Sequence, residues 1–216
     1  FGMRYKAILF DLDGTLVDTL ADLTEAMNYA LRQLGLPVHT AQACCEMVGF
    51  GNHEFARRAL PAGREDLADL LRNQMIEYYD LHCLDKTRPY EGFEEILPVL
   101  KSKGALMAVV SNKNHLQTVK IAEHYFGRET FDFICGMSDS HRAKPDPDMA
   151  LAALKTLAVP AAETIFLGDS DIDIQTARAA GIEPVGAAWG FRSPEVLRKA
   201  GAEKILIQPE EILKIL

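Results

Sequence analysis

Short apolar runs that stop abruptly at a polar or acidic residue recur along this chain, and between them apolar residues return at helical spacing. The first run, Ala7-Ile8-Leu9-Phe10, is too short for a core helix and lacks polar alternation, as expected of a buried strand in a parallel sheet. Further strands are expected at 105–110, 131–135, 164–167 and 184–188, and helices at 94–103, 115–126, 148–157, 171–180 and 194–200. Short segments at 205–207 and 210–216 finish the chain. Alternating strands and helices with right-handed crossovers predict an α/β fold, a doubly wound parallel sheet. In such sheets ligands sit beyond the carboxyl ends of the strands, so the residues that end each run are the chemically interesting ones.

One block breaks the alternation. Leu20, Leu23, Met27, Ala30, Leu31 and Leu34 predict a helix over 19–34, ended by Gly35 and Pro37. A short helix is expected at 41–48, then the turn Gly49-Phe50-Gly51-Asn52, a helical pattern to Leu60, and a break at Pro61-Ala62-Gly63. Helical spacing returns over 65–84 through Leu67, Leu70, Leu71, Met75, Tyr78 and Tyr79. With no convincing strand in it, 17–87 reads as an inserted helical cap, with hinges near 16–19 and 85–89, on an α/β core made of 1–16 and 88–216. In the turn, two glycines allow the backbone close to a ligand, Phe50 can shut out solvent and Arg57 can meet a carboxylate; an ordinary interhelical turn with Phe50 packed inside is the competing reading.

Composition narrows the class. A hydrophobic fraction of 48% with 25% charged residues is that of an ordinary globular protein, and no apolar run approaches the ~18 residues of a membrane span. The formal charge of −8 argues against a broad nucleic-acid or anionic-membrane surface, although one metal ion and one lysine suffice to reverse the sign locally for a small anionic substrate. Cys44, Cys45, Cys83 and Cys135 form no C-x-x-C pair and have no histidine at zinc spacing, which predicts reduced, packing cysteines and a cytoplasmic setting. A monomer or homodimer without nucleic-acid or membrane partners is expected. The start lacks a signal-peptide pattern, and Phe1-Gly2 ahead of Met3 reads as an expression remnant.

Asp11 and Asp13 follow the first run and precede a Gly-Thr turn. In an extended chain their side chains point roughly the same way. Two carboxylates held close repel unless a cation or shared proton intervenes, so the pair invites a hard divalent ion such as Mg²⁺. A calcium loop starting at Asp11 would need Gly and Glu where Leu16 and Asp22 stand, and is excluded. Ser111 directly follows the 105–110 strand, where a hydroxyl opening a helix suits either a phosphate oxygen or a plain helix cap. Lys144, before Pro145, is a compact charge suited to balancing a carboxylate and a phosphate, while Asp146 caps the next helix. Gly168-Asp169-Ser170-Asp171-Ile172-Asp173 again places carboxylates after a strand. Asp169 enters the crevice and Asp173 lies one helical turn on, although capping by Ser170 or Asp171 alone would also account for the run.

Taken jointly, these stretches resemble the four motifs of haloacid dehalogenase-superfamily phosphatases with an α-helical cap inserted after the first motif. Asp11-Leu12-Asp13-Gly14-Thr15 resembles the first motif, Ser111 the second, Lys144 the third and the 168–173 run the fourth, so the likeness spans essentially the whole chain. The resemblance implies that Asp11 is the nucleophile of an aspartyl-phosphate intermediate and Asp13 the general acid and then base. It implies Mg²⁺ held by Asp11, the Asp13 carbonyl oxygen, Asp169 and Asp173, the last directly or through water. Ser111 and Lys144 would hold the phosphoryl group with backbone N–H groups near Leu12 and Asp13, and Asn112 joins the substrate-contacting set. Asp13 disfavours the dehalogenase branch, which lacks it, and Leu23 stands where the β-phosphoglucomutase branch carries a cap histidine. Asp18-Thr19-Leu20-Ala21-Asp22-Leu23, Val48-Gly49-Phe50-Gly51 and Trp189-Gly190-Phe191 look like the phosphoglycolate phosphatase group. The implied activity is Mg²⁺-dependent hydrolysis of a small phosphorylated metabolite, with 2-phosphoglycolate in front. A sugar-phosphate phosphatase, a mutase or a pyrophosphatase of the same fold are its rivals, as is a catalytically silent regulator that binds a phosphorylated ligand.

Overall fold

The first apolar run becomes the middle of a six-stranded sheet. In the computed structural model, which describes residues 4–216, every side chain of β1 (Ala7–Phe10) is enclosed. The expected remnant Phe1-Gly2 lies outside the described residues. After β1 come β2 (Val17–Asp18), α1 (Leu20–Gln33), α2 (Ala41–Met47), α3 (Asn52–Ala59), α4 (Ala68–His82) and β3 (Arg88–Pro89). Strand and helix then alternate through α5 (Phe93–Ser102), β4 (Leu106–Asn114), α6 (His115–Phe126), β5 (Phe133–Met137), α7 (Asp148–Leu157) and β6 (Thr164–Gly168). The chain continues with α8 (Asp171–Ala179), β7 (Glu183–Ala187), α9 (Pro194–Ala200) and β8 (Lys204–Leu206).

The sheet order is β5-β4-β1-β6-β7-β8 with every pairing parallel, the doubly wound arrangement expected. Alternate residues of β1 serve opposite faces. Ile8 and Phe10 join Phe93, Ile96 and Leu97 of α5 and Ile121 of α6, while Ala7 and Leu9 join Met149 and Ala153 of α7 and Ala177 of α8. Both faces are covered, which is why the run carries no polar alternation. Phe10 is level with Val109 of β4 on one side and Leu167 of β6 on the other. Asp11, Ser111 and Asp169 therefore emerge at the same end of the sheet.

The 20–82 region is helical throughout, with Leu23, Met27 and Leu31 of α1 buried in one cluster with Leu71, Met75 and Tyr79 of α4. The two connections to the sheet are not independent strings. β2 and β3 pair antiparallel, Val17 with Pro89 and Asp18 with Arg88, a ribbon too short to show in the hydrophobic pattern. The buried Asp22 carboxylate reinforces it by accepting from the Lys86 and Thr87 N–H groups and the Thr87 hydroxyl.

Two expectations shift. The 105–110 strand runs on to Asn114, with a register irregularity after Val110, so Ser111 lies inside β4 instead of opening a helix. Asn114 caps α6, its side chain accepting from the Leu116 N–H. The 131–135 strand begins two residues late because Phe131 packs edge-on against Phe10 and Phe126. All four cysteines are free and buried, and among the described residues no helix is long and apolar enough to cross a membrane.

Candidate active site

Asp11 continues the sheet one residue past β1, its N–H donating to the Leu167 carbonyl at 3.0 Å. Its Oδ1 accepts from the Leu12 N–H at 2.7 Å and stands 3.1 Å from Lys144 Nζ, so the carboxylate is fixed from two directions. Lys144 is far from a surface lysine: its side chain is 2% exposed, and Nζ lies 2.6 Å from Asp173 Oδ1 and donates to the Val110 carbonyl at 2.9 Å. Burial works against its charge, but Asp11 and Asp173 outweigh that cost and raise its pKa. Asn112 holds the peptide of Lys144 with both ends of its amide, accepting from the N–H at 2.8 Å and donating to the carbonyl at 3.0 Å. The same Nδ2 reaches the Gly49 carbonyl, also at 3.0 Å, on the helical segment.

Asp169 leaves β6 into the same crevice. Its Oδ1 accepts from the Thr15 hydroxyl at 2.9 Å and its Oδ2 from the Phe191 N–H at 2.8 Å. Asp173 forms a capping box with Ser170 at the start of α8, so capping and active-site geometry coincide in one residue. Carboxylate oxygens of Asp11, Asp169 and Asp173 lie within 4.8 Å of one another. Burial, then Asp173, pushes Asp169 up to about 7 against the Phe191 N–H, the Thr15 hydroxyl and Lys144. Burial and then Asp173 also hold Asp11 well above the usual carboxylate range, opposed by Lys144. Backbone presses close: a Cβ on Gly14, at φ +79°, would fall 2.2 Å from Asp169 Oδ2, and one on Gly190 would fall 2.2 Å from Asp169 Cβ. Three carboxylates around one ammonium, offering only oxygen donors and an excess of negative charge, fit a hard divalent cation.

Asp13 is held through Oδ1, which accepts from the Thr19 hydroxyl and stands 3.2 Å from Lys113 Nζ. Lys113 escaped the sequence reading, its position in a Ser-Asn-Lys run being the sole sign. Its side chain is 3% exposed, Nζ donates to the Tyr79 hydroxyl of α4 at 2.9 Å, and its N–H donates to Ser111 Oγ at 3.1 Å. Asp11, Asp13, Ser111, Asn112, Lys113, Lys144, Asp169 and Asp173 line one cavity of about 50 Å³. Leu23, Gly49, Gly51, Asn52 and Phe55 of the helical segment close it, together with Phe191 and Arg192.

Phe50 and Arg57, expected to face a substrate, do not line this cavity. Arg57 is exposed and bonded to Glu54 at 2.8 and 2.6 Å, a local pair one helical turn apart. Phe50 carries the Arg58 guanidinium 3.7 Å above its ring. Asn52 and Phe55 occupy the places foreseen for them. Arg192 also went unread: Nη1 and Nη2 donate to the Cys45 and Val48 carbonyls at 2.7 and 3.0 Å, and backbone acceptors leave no mark in a sequence.

The haloacid dehalogenase-like hydrolase model matches residues 8–187, from β1 to the end of β7. The chain belongs to this family. A relative within reach is the N-acetylmuramic acid 6-phosphate phosphatase of Pseudomonas aeruginosa, 32% identical and matched over 99% of this chain and 96% of that protein. The phosphoglycolate phosphatase of Aquifex aeolicus is 30% identical over 98% of this chain and 96% of its own. Among solved structures, a Lactobacillus delbrueckii protein provisionally described as a phosphoglycolate phosphatase superposes with a TM-score of 0.89 at 36% identity, covering 99% of both chains. The chain is thus a phosphoglycolate-phosphatase-like hydrolase of the haloacid dehalogenase-like family.

Proposed function

We propose that this protein is a Mg²⁺-dependent phosphatase of small phosphate monoesters, with 2-phosphoglycolate as the favoured substrate. The observation that carries the reading is the convergence of Asp11, Asp13, Ser111, Lys144, Asp169 and Asp173 on one cavity. Asp11 attacks phosphorus and displaces the alcohol, whose oxygen takes a proton from Asp13. Asp13 then takes a proton from the water that attacks the aspartyl-phosphate, releasing inorganic phosphate and restoring Asp11. Lys144, locked by Asn112, and Ser111, oriented by the Lys113 N–H, hold the phosphoryl oxygens in line. Mg²⁺ bound by Asp11, Asp169 and Asp173, with the Asp13 carbonyl oxygen, would neutralise phosphoryl charge.

In this reading 17–87 is a cap on the α/β core of 1–16 and 88–216, and its closure excludes bulk water from the acyl phosphate. A cavity of about 50 Å³ favours a compact leaving group. The full-length match to an N-acetylmuramic acid 6-phosphate phosphatase supports a second reading, a sugar-phosphate phosphatase, which would need the cap to stand wider open. Mutase chemistry finds no support, because the apolar Leu23 lines the cavity where a cap acid/base would stand. Free cysteines suit a reducing, cytoplasmic setting for a monomer or homodimer.

A steady-state panel of phosphate esters tests the proposal, with Mg²⁺, with excess chelator and with Ca²⁺. Turnover should require Mg²⁺ and be highest on 2-phosphoglycolate, with Ca²⁺ inhibiting because its larger, looser shell spoils in-line geometry. Full activity in chelator would remove the metal, and a preference for hexose or hexosamine phosphates would favour the second reading.

A further inference from the structure

Three cations line the cavity, Lys113, Lys144 and Arg192. Lys144 meets Asp173, Asp11 and the Val110 carbonyl, and the phosphatase reading already assigns it to the phosphoryl group. Arg192 spends two of its five N–H donors on the Cys45 and Val48 carbonyls, which tie it to the end of α2. Lys113 differs. Among the described residues its ammonium meets Asp13 Oδ1 and the Tyr79 hydroxyl, which leaves one of three donors for a ligand. The group is not free to wander, because its side chain is 3% exposed and Nζ lies 4.4 Å from the centroid of the fully buried Tyr79 ring.

Its place along the reaction axis gives the donor a meaning. Lys144 and Asp11 stand at the phosphoryl end. In the proposed mechanism Asp13 protonates the ester oxygen, and Lys113 Nζ stands 3.2 Å from Asp13 Oδ1, which puts the ammonium on the side of the leaving alcohol. We propose that Lys113 is a specificity-determining residue: its ammonium receives a carboxylate carried by the leaving alcohol close to the ester oxygen. The site then favours phosphorylated hydroxy acids over phosphates of neutral alcohols. One remaining donor matches one carboxylate oxygen, and a charge-assisted bond in a buried place discriminates more strongly than a bond to a hydroxyl. Tyr79 belongs to α4, so the helical segment sets where the ammonium waits. The inference rests on the phosphatase reading and deepens it.

The test compares 2-phosphoglycolate with ethyl phosphate, which has the same carbon count and no carboxylate, for the wild type and the Lys113→Met and Lys113→Arg variants. Wild type should prefer 2-phosphoglycolate by about tenfold to a hundredfold in kcat/KM, the range of a hydrogen bond to a charged group. Lys113→Met should cut that preference to within about threefold, mainly through KM, and Lys113→Arg should restore part of it. Two outcomes overturn the inference while leaving the phosphatase standing: no preference in the wild type, which needs no variant to fold, or equal losses on both esters in Lys113→Met. Turnover of neither ester by the wild type overturns the 2-phosphoglycolate reading on which the inference rests, and the inference with it.

Discussion

Asp11 sits in surroundings hostile to its own charge, buried and facing Asp173, Asp169 and Asp13 with only Lys144 in compensation. Asp11→Asn keeps the shape and removes one negative charge. Turnover should fall by more than about a thousandfold, while the metal-free protein melts no lower than wild type. Retention of more than a tenth of the turnover, a loss of under about 1.4 kcal/mol in barrier, would remove Asp11 as nucleophile. Asp169 carries a pH dependence of known sign. Folding lifts its pKa from 3.8 to about 7, so between those values the folded chain binds more protons than the unfolded one. The stability of the metal-free protein therefore falls as pH rises through this window, and the penalty is complete above it. A divalent cation competes with the same protons, so Mg²⁺ should raise the melting temperature more at about pH 8 than at about pH 5. Melts with equal shifts at both values would contradict the assignment of Asp169 to the metal. Of these residues, Asp11, Asp13, Asp169 and Lys144 could be read from the sequence, because each follows an apolar run or precedes a proline at a strand-end loop. Lys113 and Arg192 could not, since their partners lie 34 and 147 residues away.

At the scale of elements, periodicity carried most of the fold. The helices from α5 to α9 and the strands between them follow from residues that must face one or two covered surfaces. Periodicity fails where an element is too short to repeat, as in the two-residue strands β2 and β3, or where a strand outruns its apolar stretch, as β4 does beyond Val110. The β2–β3 ribbon depends on Asp22, whose carboxylate serves donors 64 and 65 residues away. Asp22→Ala leaves the Lys86 N–H and the buried Thr87 N–H and hydroxyl without their acceptor, at a cost of about 2 kcal/mol. Urea unfolding checks this, and a change below about 1 kcal/mol would mean that the ribbon holds without the clamp.

At the scale of the whole molecule, the helical segment shares one hydrophobic cluster with the sheet and is tied to it beside the cavity by polar bonds. Arg192, in the loop after β7, holds the Cys45 and Val48 carbonyls at the end of α2, and Asn112 holds the Gly49 carbonyl. These bonds gather on residues 45–49, next to the cavity wall formed by Val48, Gly49 and Gly51. The arginine contributes no charge partner there, only donors to backbone oxygens at a helix C-terminus, where a cation is favoured. If the segment is a moving cap, Arg192 is a latch for its closed position. Arg192→Met keeps much of the side chain's length and removes the donors. Turnover of the true substrate should fall by about tenfold or more, because water is no longer excluded from the site. Small-angle scattering should at the same time show a larger radius of gyration. The melting temperature should fall by no more than a few degrees, since the lost bonds cost about 1–2 kcal/mol in total. Unchanged turnover and dimensions with a lower melting temperature would make the contact a static one, and the cap a fixed roof over the cavity.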